Sequence, residues 1–244
     1  MPTRTSARKR PRRRLRPRKT PTSSAWQAPR RSLSQSIHNR LAALLDFLVD
    51  GYLRFRARHW HERAALYRTL DQAQQPPVCI ISCCDSRVDP VTIFDAEPGQ
   101  LFVIRNVANL VPPFRAGDGL QGTSTAVEFA VRNLRVRHIM VLGHAKCGGV
   151  AAALDGRPSD DAVFLGNWIS LLDAAAARTK GKADQQSAVE HESIRVSLER
   201  LAAFPFVDAA VKAGTLSLSG ALFSIFDGRL DVLDSAVGEF KVVG

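Results

Sequence analysis

The chain has 244 residues, 45% hydrophobic and 23% charged, with 16 Gly, 13 Pro and 4 Cys, a profile that excludes a fibrous or disulfide-built protein. No apolar run reaches the roughly 18 residues that span a bilayer; even Val136 to Leu142 is interrupted by Arg137 and His138, so no integral membrane segment is expected. The formal charge of +11 is local, because residues 1–40 hold 13 Lys/Arg and no acid and leave 21 basic against 23 acidic residues for the rest.

The run RKRPRRRLRPRK from Arg8 to Lys19 repels itself and has too little apolar surface to offset ordering entropy, so residues 1–34 are expected to form a disordered basic arm. Such an arm suits nucleic-acid phosphates, a scaffold or other acidic partner, an anionic membrane or, being Arg- and Ser-rich, an organellar transit role; a plain solvated tail is the alternative. Four cysteines and no secretory signal point to a reducing interior, the cytoplasm, with an organelle as the alternative if the arm is a transit peptide.

From Ser36 to Leu70 the apolar residues Leu41, Leu44, Leu45, Leu48 and Val49 recur at helical steps, and Tyr52, Phe55 and HWHERAALYRTL continue them, which predicts two helices ahead of the core. Gln74 to Pro77 ends them. VCIIS (Val78 to Ser82), LFVIR and HIMVLG are short apolar runs that suit strands buried on both faces. Between them, Thr123 to Leu134 has helical spacing, and further helices are predicted over Asn167–Ala177, Ser193–Ala202 and Val207–Ala213. Asp227-Gly228 separates two alternating runs, a hairpin signal near the C-terminus. The expected fold is α/β: a mainly parallel sheet with flanking helices, an N-terminal helical arm and an antiparallel edge strand or hairpin.

Two places carry chemistry, both at the C-terminal ends of predicted strands, where open α/β sheets bind ligands. In ISCCDSRVDP, alternation puts Cys83, Asp85 and Arg87 on one face and Cys84 on the other. In GHAKCGGV, His144 and Cys147 lie three residues apart at a helix start, where the positive helix end favours a thiolate. Two thiolates and an imidazole make a zinc set with an open fourth position, the mark of a catalytic site. Cys84 is a conceivable fourth ligand that alternation opposes, and Cys79 lies about 13 Å back along the strand at about 3.3 Å per residue; both read as buried core thiols. Because two thiolates cancel the ion's charge, a nearby acceptor becomes useful. Asp85 is that acceptor, held ionised by Arg87; a plain strand-end ion pair is the alternative. Gly117 to Gly122 formally fits G-x-G-x-x-G, but no strand leads into it and no acid follows at the required distance, so it is read as chance.

Cys-x-Asp-Ser-Arg followed by His-x-x-Cys-Gly-Gly, with EPGQLFVIRNVANLVPP, GTSTAVEFAV and SLERLAAFPFV in the same order, resembles the β-class carbonic anhydrases from about Leu41 onward. The resemblance implies one zinc per subunit on Cys83, His144 and Cys147 in a domain over 35–244, with Asp85 and Arg87 as a catalytic dyad. It further implies reversible hydration of carbon dioxide to bicarbonate and a proton by zinc-bound hydroxide, in a homodimer or higher homo-oligomer whose first helices wrap the partner. Gly148 and Gly149, lacking Cβ, are expected to admit substrate closely. Glu97 stands where some members have a substrate-touching Gln, Phe204 where many have Tyr, and Ile80 where the bicarbonate-regulated subgroup has Trp, although Arg105 matches that subgroup. His138 and His191 are proton-shuttle candidates by residue type alone. Hydrolysis of carbonyl sulfide or carbon disulfide is the alternative within this site chemistry, and a nucleic-acid- or scaffold-binding module using the arm is the alternative outside it.

Overall fold

Only Ser82 is polar between Val78 and Cys83, which leaves no polar face to turn toward water, and that segment forms an inner strand of the sheet with every residue from Cys79 on buried. The structure, a computed structural model, describes residues 35–117, 119–156 and 162–243. These fall into two compact units, one ending at His61 and one beginning at Glu62. The first contains helix α1 (Gln35–Phe55), which passes through Gly51 unbroken, and a π-helical turn at Arg56–Trp60 that precedes α2 (His61–Leu70). The predicted pair of helices is present, with the junction at the π turn. The expected basic arm, residues 1–34, lies outside the described residues.

In the second unit, β1 (Val78–Cys83), β2 (Leu101–Asn106), β3 (His138–His144), β4 (Ser217–Phe223), β5 (Leu230–Asp234) and β6 (Glu239–Val243) form one sheet in the order β2-β1-β3-β4-β5-β6. The first four are parallel and the last two antiparallel; the mainly parallel sheet and the C-terminal antiparallel hairpin are as the sequence predicts, while the parallel pairing of β4 and the presence of β6 are additions. The Asp227-Gly228 turn closes the β4–β5 hairpin, with Gly228 at φ 73° and the Ser224 N–H on the Arg229 carbonyl at 2.8 Å.

The chain leaves β1 toward β2 on one side and later places β3 on the other. That reversal opens a crevice at the carboxyl ends of β1 and β3, the usual ligand position of an open parallel sheet. Register brings Ser82 beside Leu142, so Cys83 and His144 end neighbouring strands at the mouth of this crevice.

The sheet face bearing Cys79, Ile81, Ile139 and Val141 packs under α4 (Gly122–Glu128), α8 (Gln185–Ala202) and α9 (Pro205–Lys212) through Val127, Ile194, Leu201, Phe204 and Val207. Helix α8 sits low on the sheet because Ile194 occupies a hollow left by two glycines. A Cβ on Gly220 would lie 2.4 Å from Ile194 Cγ2, and one on Gly143 2.8 Å from its Cδ1. Gly220→Ala is therefore expected to cost about 1–3 kcal/mol by overpacking, read as a lower urea midpoint at unchanged slope; an unchanged midpoint would show that α8 can rise without penalty.

Three expected elements differ in extent. The segment predicted as one helix over 167–177 is α6 (Leu165–Ile169), a 3-10 turn and α7 (Asp173–Arg178). The helix predicted over Thr123–Leu134 is α4 followed by a π-helical turn at Phe129–Asn133. Helix α8 begins eight residues before its predicted start, capped by Asp184, whose carboxylate accepts the Ser187 N–H. Buried Glu190, Ser193 and Ser197 interrupt the apolar period there.

Candidate metal centre

Cys83 is the last residue of β1, His144 the last of β3, and Cys147 caps the N-terminus of α5 (Gly148–Leu154) after a turn in which Lys146 takes φ 57°. Their ligating atoms lie within 4.8 Å of one another, all three residues are at most 5% exposed, and the two sulfurs are 4.0 Å apart. Tetrahedral zinc with bonds of about 2.3 Å to sulfur separates two thiolates by about 3.8 Å, so the pair is spaced for one ion.

The imidazole is set in the tautomer that a metal needs. Nδ1–H of His144 donates to the Ala145 carbonyl at 3.0 Å, which leaves the lone pair on Nε2. That atom is buried and makes no hydrogen bond. An unpaired buried nitrogen facing two sulfurs is costly in a metal-free core and satisfied by a soft divalent cation; the residues present fit zinc.

Backbone N–H groups of Asp85 and Ala108 point at the Cys83 sulfur, and those of Val150 and Gly149 at the Cys147 sulfur. The hydrogen bond with Cys147 is the chief cause that draws the Cys83 thiol down; the same bond, then burial, pushes Cys147 up.

The loop after β2 is bent to deliver the Ala108 N–H. Ala108 and Asn109 both have positive φ, 64° and 50°, a conformation that costs an alanine about 1–3 kcal/mol. Asn106 holds the bend, its side chain donating to the Leu110 carbonyl and accepting the Leu110 N–H.

Asp85 and Arg87 form a bidentate pair, Nε on Oδ1 at 2.9 Å and Nη2 on Oδ2 at 2.7 Å, with the Arg87 backbone N–H also on Oδ1. These bonds hold the carboxyl well below the usual range. Arg87 Nη2 also reaches the Lys146 carbonyl at 3.2 Å, tying the dyad to the turn that carries His144 and Cys147. Sequence reasoning missed how Arg105 acts on the other side of this loop: from β2 it donates to the carbonyls of Cys83, Asp85 and Val88, fixing the backbone between ligand and dyad. It missed Glu190 as well, whose Oε1 accepts the Cys147 N–H at 2.9 Å.

Other expected residues sit differently. Cys79 is buried, and burial pushes its thiol up to about 12. Cys84 is exposed, which corrects its reading as a core thiol: β1 ends at Cys83, so the opposite-facing residue lies beyond the covered part of the sheet. Cys84→Ser is expected to leave zinc content and turnover unchanged; loss of zinc would place Cys84 among the ligands. Gly149 leaves room for the chain itself, since a Cβ there would meet Val107 Cγ1 at 2.8 Å and Ala108 Cβ at 3.0 Å, whereas one on Gly148 would meet nothing within 4 Å. Glu97 pairs with Arg63 on α2 at 2.5 and 2.8 Å, and its backbone N–H goes to Gln100, so its bonds run away from the metal loops. Phe204 is a buried core ring edge-on to Phe114 and Phe206. His138, at the opposite end of β3 from His144, bridges the hydroxyls of Ser217 and Ser219. His191 donates to the Ser187 carbonyl, that oxygen being the acceptor, and packs edge-on against Phe240.

The profile of the family described as "Carbonic anhydrase" matches residues 78–230. A carbonic anhydrase of Pseudomonas aeruginosa is 35% identical over 198 residues, 79% of this chain and 89% of that protein. The chloroplastic beta carbonic anhydrase 5 of Arabidopsis thaliana is 35% identical over 191 residues, 75% of this chain, and the match spans only 63% of its length. Among solved structures, the β-carbonic anhydrase CcaA superposes with a TM-score of 0.76 at 28% identity, covering 82% of this chain and 99% of its own. A Coccomyxa β-carbonic anhydrase in complex with acetazolamide gives 0.69 at 28% identity, covering 78% and 86%. Family profile, relatives and fold agree with one another, and the chain belongs to the β-carbonic anhydrase family of enzymes.

Proposed function

We propose that the chain catalyses the reversible hydration of carbon dioxide to bicarbonate and a proton, with one zinc ion held by Cys83, His144 and Cys147. The observation that carries this reading is the buried donor set with His144 Nε2 unpaired, followed two positions after Cys83 by a carboxylate that Arg87 keeps ionised. Bound zinc would supply an acidified water as nucleophile near neutral pH. Asp85, an acceptor without a proton of its own, would accept a hydrogen bond from a nucleophile at this position and so orient it toward the substrate. Arg87 holds both carboxylate oxygens and so fixes the direction in which Asp85 accepts. Its bond to the Lys146 carbonyl keeps that direction in register with the ligand turn.

Carbon dioxide is small, linear and without net dipole, and an open, largely apolar cleft of about 650 Å³ is lined by Asn106, Val107, Thr123, Phe164, Leu165 and Trp168. It borders the loop whose next residue, Ala108, directs its N–H at Cys83. We assign the substrate approach to this side, with Gly148 offering no Cβ at the start of α5. Glu97, neutralised by Arg63, is a carboxylate in the place of an amide donor and can contribute to substrate contact only by accepting. Parallel assays of one zinc-loaded sample test the substrate: carbon dioxide hydration is expected to exceed carbonyl sulfide hydrolysis by orders of magnitude, and the reverse order would reassign the reaction.

The same reading includes a homo-oligomer. Helix α1 exposes Leu45, Phe47, Leu48, Tyr52 and Leu53, each more than half accessible, and a β-carbonic anhydrase of Sordaria macrospora that superposes with a TM-score of 0.68 is one of two described as tetrameric. Light scattering is expected to give a dimer or larger particle; a monomer at micromolar concentration would remove this part. No helix among the described residues is long and apolar enough to cross a membrane. Residues 1–34 are read as an arm outside the domain over 35–244, and the Arabidopsis relative's chloroplastic description supports a transit role for it. The chain without residues 1–34 is expected to keep full hydration activity.

A further inference from the structure

Under the turn that carries two of the three ligands lies a carboxylate for which the sequence reading found no use. Glu190 is 4% exposed, and its Oε1 accepts two hydrogen bonds, from the Cys147 backbone N–H at 2.9 Å and from Gln186 Nε2, one helical turn earlier, at 2.9 Å. Burial works against its charge, and a buried carboxylate is a costly group to place in a core. Its position is fixed by packing: Ile194, four residues on and so on the same face of α8, rests against Gly143 and Gly220, which sets the height of the helix over the metal loops.

Cys147 needs such an acceptor. It follows Lys146 at φ 57° and is itself extended, at ψ 120°, outside the hydrogen-bonded body of α5. Its N–H therefore has no intrahelical partner and would be an unpaired buried donor without Glu190.

We propose that Glu190 is a positioning residue for metal capture: by accepting the Cys147 N–H, its carboxylate oxygen holds the Cys147 sulfur where it completes the set with Cys83 and His144. This inference rests on the zinc reading above. It is the placed acceptor, more than the negative charge, that acts. Glu190→Gln keeps an oxygen at the same reach without the charge, whereas Glu190→Asp keeps the charge and withdraws the oxygen by about one carbon–carbon bond, about 1.5 Å.

Zinc dissociation constants measured against a chelator buffer, with the visible spectrum of the cobalt(II)-loaded protein, separate the possibilities. The Gln variant is expected to bind zinc within about threefold of wild type and to keep the wild-type cobalt spectrum. The Asp variant is expected to bind about ten- to a hundredfold more weakly, the usual scale for a group that orients a ligand, with altered ligand-field bands and a thermal midpoint of the metal-free protein close to wild type. An Asp variant that binds as tightly as wild type overturns the inference, as does a Gln variant that loses tenfold or more. If the Asp variant does not fold, Glu190→Ala takes its place, and an Ala variant that binds zinc as tightly as wild type overturns the inference. Wild-type protein that takes up no stoichiometric zinc would instead overturn the zinc reading, and this inference with it, before any variant is compared.

Discussion

His144→Ala is expected to strip the protein of zinc and reduce carbon dioxide hydration to the buffer background. A structural zinc site is worth about 10–16 kcal/mol, so one of three protein ligands accounts for roughly 3–5 kcal/mol, a loss of about 10² to 10⁴ in affinity. Two thiolates 4.0 Å apart then have no third anchor against competing chelators. Removing the ring also leaves the Ala145 carbonyl without its donor and opens a cavity in a core where His144 is 2% exposed. For that reason the unfolding midpoint of metal-free wild type is the proper reference. Elemental analysis checks the outcome, and a variant that retained both zinc and turnover would remove His144 from the ligand set. The wild-type protein treated with a strong chelator is expected to reproduce the variant's loss of activity without its loss of packing.

Asp85→Asn is expected to keep zinc and slow turnover by about 10²- to 10³-fold, within the range supplied by a positioned proton acceptor. The amide keeps one oxygen for two of the Arg87 donors, but its NH2 confronts Arg87 Nη2, which now donates to Oδ2. Two donors face each other, the guanidinium swings away, and its tie to the Lys146 carbonyl is lost. At the same time the nucleophile loses the acceptor that orients it. Unchanged zinc content with a wild-type rate would reduce the pair to an ordinary ion pair at the end of a strand.

Strands β1 and β3 were readable because they are mostly apolar runs, and the candidate ligands because soft residues recur at the ends of these two runs. Alternation separated Cys83 from Cys84 correctly and failed on the environment of Cys84, since it says which way a side chain points and nothing about where cover ends. Helix α8 was read eight residues short for a reason that bears on the site. Its buried polar residues Glu190, Ser193 and Ser197 break the apolar period, and one of them is the group that meets Cys147 across 43 positions of sequence. No local pattern announces such a contact. Arg105 is similar, because only the register of β2 against β1 shows that its guanidinium faces the carbonyls of the Cys83–Val88 loop. Positive φ at Ala108 had no signal at all, since alanine is not a residue chosen for that conformation; the clamp by Asn106 imposes it.

Stopped-flow hydration of carbon dioxide at mildly alkaline pH, on protein as isolated, after stripping by a chelator and after refilling with zinc, tests the central claim most directly. The Cys83–His144–Cys147 account predicts rapid hydration that disappears with the metal and returns at one zinc per chain. A folded, fully zinc-loaded sample that hydrates carbon dioxide no faster than buffer would contradict it.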